Sequence, residues 1–155
     1  MRIRLFAVFS LLALGACTST PSGQSDSDAY VGCNGDPRIN LLAFPANVAT
    51  DDAALTLHFL AAEPSVPLAG DNTWTVAVQT ASGGKADVSA IIGAAFMPDH
   101  GHPSSVAPIA THQPDGTWRI EHLNLAMAGV WRVTLTLKRA AGQNATAVVY
   151  VCVAG

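Results

Sequence analysis

Met97-Pro98-Asp99-His100-Gly101-His102-Pro103 concentrates the residues of this chain best suited to chemistry. Pro98 and Pro103 cannot donate to a sheet ladder and Gly101 permits a sharp backbone, so the segment reads as a shaped loop after an apolar stretch ending at Phe96. His100 and His102 stand two residues apart. In extended backbone such side chains leave one side about 6–7 Å apart, close enough to converge on one ion. Imidazole together with the thioether of Met97 makes a borderline-soft to soft donor set, which suits copper, above all Cu(I), rather than calcium or magnesium. The same residues also read as loop histidines that cap backbone groups or face water, over a methionine that fills a gap.

The other histidines carry less. His58 lies on the polar side of an alternating stretch and His112 flanks a turn, so both read as solvated, while His122 sits where a strand falls out of phase. No Gly-x-Ser-x-Gly elbow, Cys beside His, phosphate-cradling glycine loop or His-Glu-x-x-His helix is present. Asp99 and His100 with Ser104 and Ser105 can be drawn as base and nucleophile, but neighbours on a tight loop seldom face one another. The expectation is therefore a protein that is not an enzyme. A metal-binding or metal-delivery protein and a non-catalytic interaction module stand ahead of a remote hydrolase.

The elements that must position this loop read as strands. In Trp131-Arg132-Val133-Thr134-Leu135-Thr136-Leu137-Lys138 apolar and polar residues alternate, the signature of a strand with one buried face. Leu55, Leu57 and Phe59 alternate likewise, as do Trp74, Val76 and Val78. The run from Ala145 to Val153 is β-branched and suits a strand covered on both faces. Ile39 to Phe44, Val88 to Phe96 and Val106 to His112 are further strand candidates. Between Trp118 and Met127 the apolar positions change from even to odd, so a bulge near Glu121 and His122 is needed to keep one face buried. Gln113-Pro114-Asp115-Gly116 has the order of a type I turn and joins two strands as a hairpin, and Ala69-Gly70-Asp71-Asn72 and Ser82-Gly83-Gly84-Lys85 also read as turns. Seven to eight short strands without a long helix predict an all-β, immunoglobulin-like antiparallel sandwich, with a small closed barrel as the alternative.

The first residues predict export. Arg2 and Arg4 precede an apolar run from Leu5 to Leu14, too short to span a bilayer comfortably, and small residues then lead to Cys17, so residues 1–16 read as a secretory signal. Leu14-Gly15-Ala16-Cys17 resembles the bacterial lipobox. That resemblance implies cleavage before Cys17, a lipid on Cys17, and a domain tethered to a membrane in an extracytoplasmic space. Thr18 follows where Asp is absent, which by resemblance to sorted lipoproteins implies the outer membrane, facing the periplasm. Residues 17–31 are polar and read as a flexible spacer, leaving 32–155 as a single domain. Loss of Arg2 and Arg4 leaves 6 basic against 11 acidic residues, a net charge of −5, so nothing favours nucleic acid as a partner. With Cys17 assigned to lipid, Cys33 and Cys152 remain as an expected disulfide in an oxidising compartment, against two free thiols or metal ligands.

Three blocks together resemble a known family. Met97-Pro98-Asp99-His100-Gly101-His102, then Asp115-Gly116-Thr117-Trp118-Arg119-Ile120, then Leu125-Ala126-Met127-Ala128-Gly129-Val130-Trp131-Arg132-Val133 are similar to the YtkA-like family, related to FixH-type proteins. Trp118 stands where the family usually has Tyr. The similarity covers roughly Thr73 to Leu137. It implies an immunoglobulin-like extracytoplasmic domain, a copper-handling or respiratory envelope protein as partner, and a metal site drawing Met97, His100 and His102 from one loop and Met127 from another. Met127 to Trp131 reads equally as a packing corner, with methionine on tryptophan and no ligand role.

Overall fold

The computed structural model describes Cys33, residues 35–41 and residues 43–154. The signal, Cys17 and the spacer, with the lipidation expected there, lie outside the described residues. Nine strands follow one another: β1 (Ala46–Ala49), β2 (Leu55–Glu63), β3 (Gly70–Thr80), β4 (Val88–Met97), β5 (His102–Pro103), β6 (Ile109–His112), β7 (Trp118–Leu125), β8 (Gly129–Arg139) and β9 (Ala145–Val153). They form two antiparallel sheets, ordered β1-β2-β3-β7-β6 and β5-β4-β8-β9, and no helix occurs among the described residues. The expected sandwich is therefore present, with β5 a two-residue strand beyond the predicted number.

Alternation does what it should. Leu57, Phe59, Trp74, Val76 and Ile120 from one sheet meet Trp131, Val133, Leu135, Val149 and Val151 from the other in one core, all fully buried. Burying side chains of this size stabilises by about 1.5–3 kcal/mol each, so the core outweighs any surface ion pair. The bulge in β7 is where the phase change requires it. Asn72 pairs with Leu123 and Trp74 with Ile120, so Glu121 and His122 together oppose Thr73, and His122 takes a φ of 55°. The Gln113–Gly116 turn also forms, with the Gly116 N–H donating to the Gln113 carbonyl at 3.0 Å between β6 and β7.

Four expectations need correction. Ala69 to Asn72 is not a turn: Gly70, Asp71 and Asn72 already pair with Leu125, Asn124 and Leu123, and the chain reverses over residues 64–69. Asn72 is buried because its side-chain amide stitches that loop down, accepting from the Leu68 N–H and donating to the Leu68 and Gly70 carbonyls. Of the candidate strand Ile39 to Phe44, the described residues 39–41 and 43–44 form no strand. There the Asn40 carboxamide takes the place of ladder bonds, accepting from the Tyr150 N–H at 2.7 Å and donating to the Val148 carbonyl at 3.1 Å. Val106 to His112 shortens to Ile109–His112, since Pro108 has no N–H to give a ladder. Finally, β9 is covered on one face for most of its length. Val148 on its outer face is 36% exposed, and only near Cys152 does the initial segment cover that face, through Cys33 and Ile39.

Asn40 and Leu41 at Tyr150, with Asp51 at Thr146, occupy the free edge of β9 and block further strand addition there. The Cys33–Cys152 disulfide is formed, with Cα atoms 5.7 Å apart. It closes 119 residues of chain, a constraint on the unfolded state of about 4–5 kcal/mol in the chain-entropy account.

One end of the sandwich gathers the loops of interest. The β2–β3 loop, the β4–β5 turn, the β7–β8 loop, the end of β9 and the disulfide all lie there.

Candidate functional site

Met97 is the last residue of β4 and His102 the first of β5, and they are direct partners across a tight turn. Opposed residues of an antiparallel pair project to one face, so the thioether and the imidazole leave the sheet together. The turn closes through Gly101, whose φ of 69° lets its N–H donate to the Met97 carbonyl at 2.9 Å. Met97 is buried, His102 half-buried and His100 exposed. Met97 therefore belongs to the core end of a regular strand, not to the loop the sequence suggested.

The two imidazole rings lie 6.0 Å apart, nearly perpendicular. A metal bound about 2.0–2.1 Å from a ring nitrogen lies roughly 3 Å from the ring centre, so one ion between the rings requires a near-linear arrangement. The His102 Nδ1 is 3.1 Å from the Pro103 carbonyl oxygen. When that nitrogen carries the proton and donates, the Nε2 lone pair is free to ligate.

Trp131 connects these residues to the second loop. Its ring meets His102 edge to face at 5.9 Å, and its indole N–H donates to the Met127 carbonyl at 2.9 Å. Met127 is 39% exposed. Two residues on, Gly129 adopts a φ of 129°, and a Cβ there would stand 2.5 Å from the Met97 terminal methyl. The bare glycine backbone is what admits Met97 at this point. Met97, His100, His102 and Met127 are thus brought to the same end of the sandwich, through Trp131. Sequence reading named Trp131 only as a packing partner.

Arg38 is the residue that sequence reading missed altogether. Its guanidinium donates to both Asp99 oxygens at 2.7 and 2.8 Å and to both Asp36 oxygens. Arg38 holds the Asp36 carboxyl at about 2 and keeps the Asp99 carboxyl below the usual carboxylate range. Asp36 and Asp99 both raise the guanidinium in turn. Asp99 is accordingly engaged by arginine, and the Ser104 hydroxyl accepts from the Val106 N–H. Opposite charges sixty-one positions apart give no spacing signal from which this contact could be read.

Among the described residues no three His, Cys, Asp or Glu side chains gather to hold an ion. His58, His112 and His122 belong to the other sheet. The His112 ring lies 4.9 Å from that of Trp118, and His122 sits on the bulge 3.7 Å from Asp71. A shallow cavity of about 280 Å³ lies at the opposite end, lined by Gln79, Gly83, Lys85, Asp115 and Thr117. There the Thr117 hydroxyl and N–H lower the Asp115 carboxyl, the reverse of what a general acid at neutral pH requires.

Compared with known families, residues 51–136 match the profile described as YtkA-like. The match runs from the turn before β2 into β8 and takes in Met97, His100, His102, Met127 and Trp131, but not Arg38 or the disulfide. No curated protein matches the chain.

Proposed function

Since the chain belongs to the YtkA-like family, with more than half its length inside the family's bounds, we propose that it is a lipid-anchored extracytoplasmic protein whose sandwich binds copper as cargo. Met97, His100, His102 and Met127 are the proposed ligands. The observation that carries this reading is the pairing of Met97 with His102 on one sheet face, with His100 6.0 Å away and Met127 joined through Trp131. Two thioethers and two imidazoles prefer Cu(I). A half-buried histidine and an exposed methionine at a loop-built end suit a site that passes its ion to another protein, a copper-handling or respiratory partner of the envelope. Anchoring rests on the Leu14-Gly15-Ala16-Cys17 sequence, with the outer membrane as its address.

Anaerobic titration with Cu(I), using a competing chelator, tests the site. The wild-type chain should take up one equivalent, and His100→Ala with His102→Ala should abolish uptake while the unfolding midpoint stays put, because neither side chain is in the core. Equal uptake by both proteins rejects the site. A second reading, an interaction module without metal, draws on Ile92, Val106 and Ile109, exposed on the side where β4 and β6 approach each other. Absence of any copper uptake by the wild type favours it.

A further inference from the structure

We infer that Arg38 is a positioning residue for the His100–His102 turn, tying the proposed copper loop to the disulfide-anchored start of the domain. The inference concerns the same site as the proposed function, and its affinity arm rests on that reading. Between β4 and β5 only four residues, 98 to 101, cross the turn, and inside it the His100 and Gly101 N–H groups reach only the Met97 carbonyl, at 3.3 and 2.9 Å. Nothing in a single shared acceptor fixes where the imidazole of His100 points. The bidentate contact to Asp99, the residue next to it, supplies that constraint, because a planar guanidinium meeting both oxygens fixes direction as well as distance.

Arg38 is itself fixed from the other side. Asp36 takes its Nε and second terminal nitrogen, and the Asp36 carboxylate also accepts from the Arg38 backbone N–H at 2.9 Å. Five residues before Arg38 stands Cys33, covalently joined to β9, and two residues after it Asn40 is bonded along β9. The guanidinium therefore reaches the turn from a segment held at both ends. Among the described residues it hydrogen-bonds to none of the four proposed ligands, so the effect inferred here runs through Asp99.

Arg38→Met removes both forks and keeps the aliphatic length, and Arg38→Lys restores charge without the bidentate geometry. Arg139→Met breaks the pair with Asp52 at the other end of the sandwich and is the control. In the metal-free chain, amide hydrogen exchange at His100 and Gly101 should become about tenfold faster in Arg38→Met, partly so in Arg38→Lys, and remain unchanged in Arg139→Met. Cu(I) affinity measured by chelator competition should fall in the same order. Unchanged exchange at His100 and Gly101 in Arg38→Met overturns the inference. Faster exchange with unchanged affinity also overturns it, since the turn would then be held without serving the site. If the wild type takes up no copper while exchange responds as stated, the copper reading fails and the structural positioning stands.

Discussion

Gly129→Ala is the sharpest perturbation of the corner where the two loops meet. An alanine Cβ would lie 2.5 Å from the Met97 terminal methyl, and the backbone φ of 129° is one that side chains beyond glycine rarely adopt. The backbone penalty is about 1–3 kcal/mol and the overpacking penalty another 1–3 kcal/mol, so the single variant should lose about 2–6 kcal/mol. Met97→Ala should lose a similar amount, about 2–5 kcal/mol, by emptying a buried site. In the double variant the new methyl enters space that Met97 has left, and only the backbone penalty remains beside the cavity. The two losses should then fall short of additivity by about 1–3 kcal/mol. Urea unfolding of the four proteins, with slopes compared as well as midpoints, measures the coupling. Losses that add to within about 0.5 kcal/mol would refute the contact.

Cys17→Ala should release the protein from the membrane fraction or leave a longer precursor, and a variant of mature size that stays membrane-bound would show that Cys17 carries no lipid. Asp52, held by the Thr50 hydroxyl, the Ala54 N–H and Arg139, has its carboxyl lowered from 3.8 to about 2. Its folded value lies below its unfolded one, so its contribution to stability is complete above pH 3.8 and is lost as pH falls through about 2. An NMR titration of Asp52 should show that low midpoint, rising in Thr50→Val; a midpoint at 3.8 in the wild type contradicts the assignment.

Local pattern carried most of the architecture. Period-2 alternation in Leu55–Phe59, Trp74–Val78 and Trp131–Leu137 identified strands because one buried face imposes that period wherever the strand pairs. The phase change at Glu121 and His122 identified a bulge for the same reason: a buried face cannot change parity without an extra residue. Where the pattern misled, a single side chain had replaced backbone. Asn72 made a turn-like sequence into the start of β3, and Asn40 turned an apolar run into an edge cover.

The histidine and methionine residues of the turn, their donor chemistry and the two cysteines able to pair are properties of residue type and order, and the sequence by itself determined them. Where those groups meet was decided by tertiary structure. Pairing of β4 with β8 brings Trp131 beside the β4–β5 turn, and that one indole reaches both His102 and the Met127 backbone. The disulfide and Asn40 hold the segment on which Arg38 reaches Asp99. The His102–Trp131 and Arg38–Asp99 contacts join residues tens of positions apart through sheet register and covalent closure. No local period or spacing records them, because they form only once β4, β8 and β9 have paired in register and the disulfide has closed.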